Sequence, residues 1–174
     1  MTQQLRRLIN WISVFAYTAF IYSTLSVTPV FSRFFSRLLG RGYSLSVNLF
    51  TVGLVFLLPV FLYKRLKRKP LWVYLALALT AGLYALTVFT WSGTPAEKLH
   101  LVEYGFLSFL LLRAMEGVRP RLKKYAAIIL SVALIGYVDE LIQWFLPNRV
   151  CDIKDVALNV ISGILGLIMA ELLS

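Results

Sequence analysis

KYAAIILSVALIGYVDELIQWFL, residues 124–146, is the stretch whose reading decides the fold. From Tyr125 to Val138 every residue is apolar or small, and the whole stretch 124–146 matches the ~20 residues a helix needs to cross a ~30 Å hydrocarbon layer. Five comparable stretches cover about 8–28, 45–63, 71–91, 99–115 and 156–173. The chain has 174 residues, 59% of them hydrophobic and 15% charged, with a mean hydropathy of +0.77. A soluble domain runs at roughly 45–50% apolar and about 25% charged, so a water-soluble core of this size cannot hide so much apolar surface. The expected fold is all-α, a polytopic transmembrane bundle of about six spans in a single domain over 1–174. The first stretch follows Arg6 and Arg7, is long and has no small-residue cleavage site, so it reads as a retained anchor.

Charge sets the orientation. A net charge of +10 would point to nucleic acid in a soluble protein, but here the bases sit in short segments between apolar runs, and no nucleic-acid partner is expected. With the N-terminus inside, Arg6, Arg7, Lys64, Arg65, Lys67, Arg68, Lys69, Arg113, Arg119, Arg121, Lys123 and Lys124 lie inside, against Arg33, Arg37, Arg41, Lys98, Arg149 and Lys154 outside. The positive-inside rule therefore places both termini in the cytoplasm, in a bacterial cytoplasmic membrane. Between the first two stretches Phe31, Phe34, Phe35, Leu38 and Leu39 recur at helical spacing, with Arg33, Arg37 and Arg41 on the other side. That pattern predicts a short amphipathic helix lying on the outer leaflet, with Phe31, Phe34 and Phe35 in the lipid and the three arginines at the headgroups. The lone Cys151 excludes an internal disulfide and a thiolate metal site.

Six of the eight acidic residues fall in two windows that this orientation turns to the same, outer side: Glu97, Glu103, Asp139, Glu140, Asp152 and Asp155. The sole histidine, His100, joins them. In EKLHLVEYG the side chains of Glu97, His100, Glu103 and Tyr104 share one side of a helix, His100 and Tyr104 one turn apart. Asp139 and Glu140 stand two turns before Pro147, roughly 10 Å below the helix end, where each charge costs about 2.5–3.5 kcal/mol on insertion scales. Intramembrane acids at that depth either bind helices together or mark a functional site. Glu140 and Gln143 share a face, whereas Asp139 points about 100° away toward another helix. Asp152, Asp155, Asn159, Gly163 and Gly166 fall within an arc of about 80°. Asp152 also reads as a plain N-cap, and Arg149 as an anchor at the headgroups or a partner of these carboxylates.

The run D-E-x-x-Q-x-x-x-P-x-R-x-x-D-x-x-D-x-x-x-N-x-x-x-G, with His100, Glu103 and Tyr104 upstream, resembles the signature of the VanZ-like membrane proteins. The resemblance is close over about 95–174 and only general before that. Glu97 and Lys98 stand where the family has an acidic-basic pair. It implies a membrane protein of the cell envelope; the family takes its name from a member associated with resistance to teicoplanin, a lipidated glycopeptide acting on the outer face of the membrane.

Together these readings give an outward pocket that binds or modifies an envelope lipid or a lipid-linked cell-wall glycan. His100, Glu103, Asp139, Glu140, Asp152 and Asp155 are its candidate catalytic groups, and Lys98, Tyr104, Gln143, Arg149 and Asn159 its candidate binding groups. Paired carboxylates beside a histidine supply an acid and a base if burial separates them, or hold a divalent cation through oxygen and imidazole ligands. Six acids against three bases favour a cationic or hydroxyl-rich ligand, or a metal-bridged phosphate. The competing readings are a proton-coupled transporter or flippase and a structural or partner-binding protein. The sequence leaves oligomeric state open.

Overall fold

A computed structural model describes residues 2–61, 69–91, 94–146 and 152–174. Among the described residues there are seven helices and no strand: α1 Gln3–Thr24, α2 Thr28–Leu39, α3 Arg41–Phe61, α4 Leu71–Thr90, α5 Pro95–Ala114, α6 Arg121–Trp144 and α7 Ile153–Leu173. Among the described residues each apolar stretch of the sequence lies mainly on one helix. Three of them, α4, α6 and α7, are long and apolar enough to cross a membrane, and α1 with α2, bent by 56° at their junction, make a fourth if they are one broken span.

The helices are apolar on their outer faces. Leu75, Leu79, Leu86 and Phe89 on α4, and Leu130 and Leu134 on α6, are all exposed. Contiguous exposure of this kind is untenable in water and ordinary against lipid tails. Inside, Val14, Ile21, Tyr104, Leu107, Leu111, Ile128 and Val132 form one apolar cluster among α1, α5, α6 and α7. Val73, Leu77, Ala81, Val88, Leu101, Leu158 and Leu165 form a second among α4, α5 and α7.

Helix α5 is the hub: it packs most extensively on α7 and also meets α1, α3, α6, α4 and α2. Gly105 and Gly166 make that closeness attainable. A Cβ on Gly166 would overlap the backbone of Gly105, and one on Gly163 would come within 2.7 Å of Val132 Cγ1. Small residues let two helix backbones touch where no hydrophobic effect drives them together. Beside this crossing Tyr84 Oη donates to the Ser162 carbonyl at 2.9 Å, and Ser162 Oγ donates to the Leu101 carbonyl, so α4, α5 and α7 are tied by hydroxyls that leave no polar atom facing lipid.

Helix boundaries differ from the sequence reading by a few residues, and three of the differences bear on the site or the interface. Hydropathy starts the fourth stretch near 99, yet α5 begins at Pro95, because Thr94 Oγ1 accepts from Glu97 N (3.3 Å) and Glu97 Oε1 accepts from Thr94 N (3.2 Å). This capping box makes a polar first turn helical. Helix α6 ends at Trp144, which puts Asp139 and Glu140 about 6–8 Å from its end, shallower than expected. The amphipathic helix exists as α2, with Phe31, Phe34 and Leu38 exposed on its apolar side and Phe35 stacked on Tyr43 at 6.0 Å. It takes in Arg33 and Arg37 but not Arg41. Gly40, at φ 54°, stops it, a conformation that suits a residue without Cβ, and Arg41 opens α3 instead.

Candidate functional site

The cap at Thr94 fixes the start of α5 and so the position of His100, one and a half turns in. His100 Nδ1 lies 3.0 Å from Glu103 Oε2 and 3.9 Å from Asp139 Oδ2. The same Asp139 oxygen accepts from Tyr104 Oη at 2.9 Å. With Glu103 and Asp139 both beside Nδ1, the proton belongs on that nitrogen, and Nε2 carries the lone pair in the neutral ring. Helices α5 and α6 are thus joined by a four-residue polar knot under a largely apolar shell.

Glu140, adjacent in sequence, faces elsewhere. Its Oε1 accepts from Gln143 Nε2 at 3.1 Å and its Oε2 from the backbone N–H of Asp152 at 3.0 Å. Asp152 is the N-cap of α7, its Oδ1 accepting from Lys154 N at 2.9 Å, so Glu140 holds the N-terminus of α7, where the helix dipole favours an anion. Asp155, in the first turn of α7, lies within electrostatic reach of both His100 and Glu140. The divergence of Asp139 and Glu140 expected from their 100° offset is what the two hydrogen-bond sets display.

Exposure grades inward. Asp152 is exposed, Glu103 is 22% exposed at its side chain, and His100, Asp139, Glu140 and Gln143 are buried. Asp139 is fully buried, and among the described residues its Oδ1 has no hydrogen-bond partner; neither has Oδ1 or Nδ2 of Asn159, nor Oγ of Ser108. Asn159 packs against Gly136, whose absent Cβ would sit 3.2 Å from the amide nitrogen. Unpaired buried polar atoms are costly and call for an explanation. Lys98 is also buried.

Of the residues singled out by sequence, the fold therefore brings together His100, Glu103, Tyr104, Asp139, Glu140, Gln143, Asp152 and Asp155. Asn159 sits deeper, Lys98 is buried on the same helix as His100, and Arg149 lies outside the described residues. Asp152 contributes its backbone to Glu140 and its carboxylate to the cap. Sequence reasoning missed Gly136, Ser108 and Tyr22, whose Oη donates to the Ile135 carbonyl at 3.1 Å. Gly136 had a signal, one turn before Asp139 on the same face; the two hydroxyl residues had none beyond being polar in apolar runs. Among the described residues no group of three or more His, Cys, Asp and Glu side chains is arranged to hold a metal ion.

The arrangement suits proton transfer: a histidine oriented by a carboxylate, with a second, buried carboxylate beside it and a phenol hydrogen-bonded to the latter. It also suits recognition of a cation or of hydroxyl groups, since most of its unpaired atoms are oxygens.

A family model described as VanZ/LLP1 matches residues 96–174, the stretch from the first turn of α5 onward that supplies every member of this cluster. Searches of the curated proteins and of the solved structures give no match.

Proposed function

Because residues 96–174 make this a VanZ-like membrane protein, we propose that it crosses a bacterial cytoplasmic membrane six times with both termini inside, and that the acidic pocket faces outward and binds or modifies an envelope lipid or lipid-linked glycan. The observation that carries this reading is His100, fixed through Nδ1 by Glu103 above a buried Asp139 with one carboxylate oxygen unpaired among the described residues. Nε2 of His100 takes a proton from a hydroxyl of the ligand, and the carboxylates stabilise the imidazolium that results. Glu140 and Gln143 set the mouth by holding the start of α7. Helix α2 leaves the pocket end of α1 and rests its phenylalanines in the outer interface, with Arg33 and Arg37 toward anionic headgroups. A contribution to teicoplanin tolerance follows if the modified lipid carries the drug's target.

The test uses the full chain in vesicles with a lipid-linked glycan bearing a photoreactive group. Crosslinking should map to α5–α7 near His100, and His100→Gln should abolish turnover or glycan binding while the protein stays folded. Crosslinks spread evenly over the lipid-facing surface would sink the reading. Orientation is read from the lone Cys151: an impermeant thiol reagent should label it in intact cells, and labelling only after permeabilisation reverses the topology.

A second reading, a proton-coupled transporter or flippase, has one observation in its favour. The unpaired atoms of Asp139, Asn159 and Ser108 follow one another from the pocket toward the bundle interior. Proton uptake into vesicles on addition of a lipid or glycan substrate, lost in Asp139→Asn, separates it from a binding or catalytic role.

A further inference from the structure

The opposite end of the bundle holds a lateral groove of about 620 Å³, within the range of ligand sites. Its floor is the last turns of α7, and its walls are the start of α4 and the start of α6. Helices α4 and α6 each pack on α7 but form no packed interface with each other, so the groove opens sideways toward the lipid. Ile129, Ile164 and Ile168 line its length, and Lys69, Trp72, Tyr125 and Glu171 stand around it.

The charges at this mouth are specific. Glu171 is already satisfied, by Lys124 Nζ at 3.0 Å and by Tyr125 Oη at 2.7 Å, and Arg121 lies within electrostatic reach of it. Lys69 makes no ion pair or hydrogen bond among the described residues. Three cations against one carboxylate leave an excess of two positive charges, with an exposed tryptophan at interface depth beside an apolar slot. Interfacial tryptophan marks the headgroup level, and a basic pocket between membrane helices attracts anionic headgroups.

We propose that this groove is a binding site for an anionic phospholipid, with its phosphate on Lys69 beside the Lys124–Glu171 pair and one acyl chain lying on α7 between α4 and α6. Charge complementarity selects the occupant: a second protein helix would leave Lys69 facing an apolar surface, and a zwitterionic lipid brings no net charge for the excess. The lipid comes from the leaflet on the side of the two termini, since Gln3 at the start of α1 and Leu173 at the end of α7 lie at this end, where Arg6 pairs with Glu116 at 3.8 Å. The site is remote from the acidic pocket and does not depend on what that pocket does.

Trp72 supplies the probe. In a variant with Trp11, Trp91 and Trp144 changed to Phe, Trp72 reports alone. The full chain goes into phosphatidylcholine vesicles holding equal mole fractions of brominated phosphatidylglycerol or of brominated phosphatidylcholine. Quenching by the brominated phosphatidylglycerol should be several-fold stronger, Lys69→Gln should erase that preference, and Ile168→Phe, which fills the slot, should lower quenching by either lipid. Far-UV circular dichroism and thermal unfolding verify that each variant is folded. In vesicles sorted for one orientation, brominated phosphatidylglycerol exchanged into a single leaflet should quench only from the side of the termini. Equal quenching by the two lipids, a preference that survives Lys69→Gln, or quenching from the opposite leaflet overturns the proposal. Brominated phosphatidylethanolamine matching the phosphatidylglycerol signal does so as well, since it has no net charge to offer Lys69.

Discussion

Glu140 and Glu171 are the same side chain at opposite ends of one bundle, Glu140 reaching from α6 to the start of α7 and Glu171 from the end of α7 to α6, and their surroundings could hardly differ more. Glu171 is 34% exposed at its side chain and paired with a cation from α6; it anchors the last turn where headgroups and water are close. Glu140 is buried, and among the described residues its hydrogen-bond donors are neutral, an amide and a backbone N–H. A carboxylate placed that deep without a cationic donor is poor helix glue, because an apolar pair of the same volume would hold two helices together with no desolvation penalty. The contrast teaches that surroundings decide what a carboxylate does: at the basic end an exposed ion pair anchors the last turn of α7, and at the pocket end a buried carboxylate holds the first turn through neutral donors.

The change with the largest expected effect removes the connection between the two ends. Gly166→Leu drives a side chain into the Gly105 backbone, and α5 and α7 cannot close. Loss of the folded bundle, seen as collapse of the thermal transition and aggregation in mild detergent, is the expected outcome; a folded variant would mean the crossing is looser than described. Next comes Glu140→Ala, which strands the Asp152 N–H and the Gln143 amide and is expected to cost about 2–4 kcal/mol, measured by reversible unfolding in mixed micelles. The comparison breaks if this loss is no greater than that of Glu171→Ala. Glu140→Gln keeps one acceptor but turns an amide toward a donor, so it should also loosen the start of α7 and is not a clean test of chemistry.

A smaller effect is expected within the polar knot. Tyr104→Phe deletes a hydrogen bond to a charged partner, expected at about 1.5–3 kcal/mol, and its combination with Asp139→Asn should fall short of additivity by at least about 0.5 kcal/mol. Strict additivity would separate the two residues energetically despite their 2.9 Å contact. The smallest effect belongs to the basic end: Glu171→Gln should cost under about 1 kcal/mol, and less still at high salt, as exposed ion pairs do.

What the sequence disclosed follows from what kinds of interaction have a sequence identity. Apolar runs of membrane length and the Phe/Arg period of α2 are written in side-chain type, so the helices were legible to within a few residues. The exceptions were those where a cap overrides hydropathy, at Thr94, and where Gly40 ends a helix early and leaves Arg41 to the next. The convergence of His100, Glu103, Asp139, Glu140 and Asp155 was legible because acids are rare here and cluster. Their pairing was less so. The acceptor geometry of Glu140 depends on a backbone N–H that no residue name announces, and the Tyr84–Ser162–Leu101 tie uses carbonyls on three helices. Gly105 and Gly166 look like any small residues until the backbones are seen in contact.

That contact sets how the molecule is geared. Gly166 lies eleven residues beyond Asp155 and five before Glu171, about 16 Å and 8 Å along the axis of α7. With no side chains between the two backbones, the crossing resists translation but not rotation, and a rigid helix held there behaves as a lever with arms of about two to one. A sideways displacement of ~1 Å at Asp155 turns into ~0.5 Å in the opposite sense at Glu171.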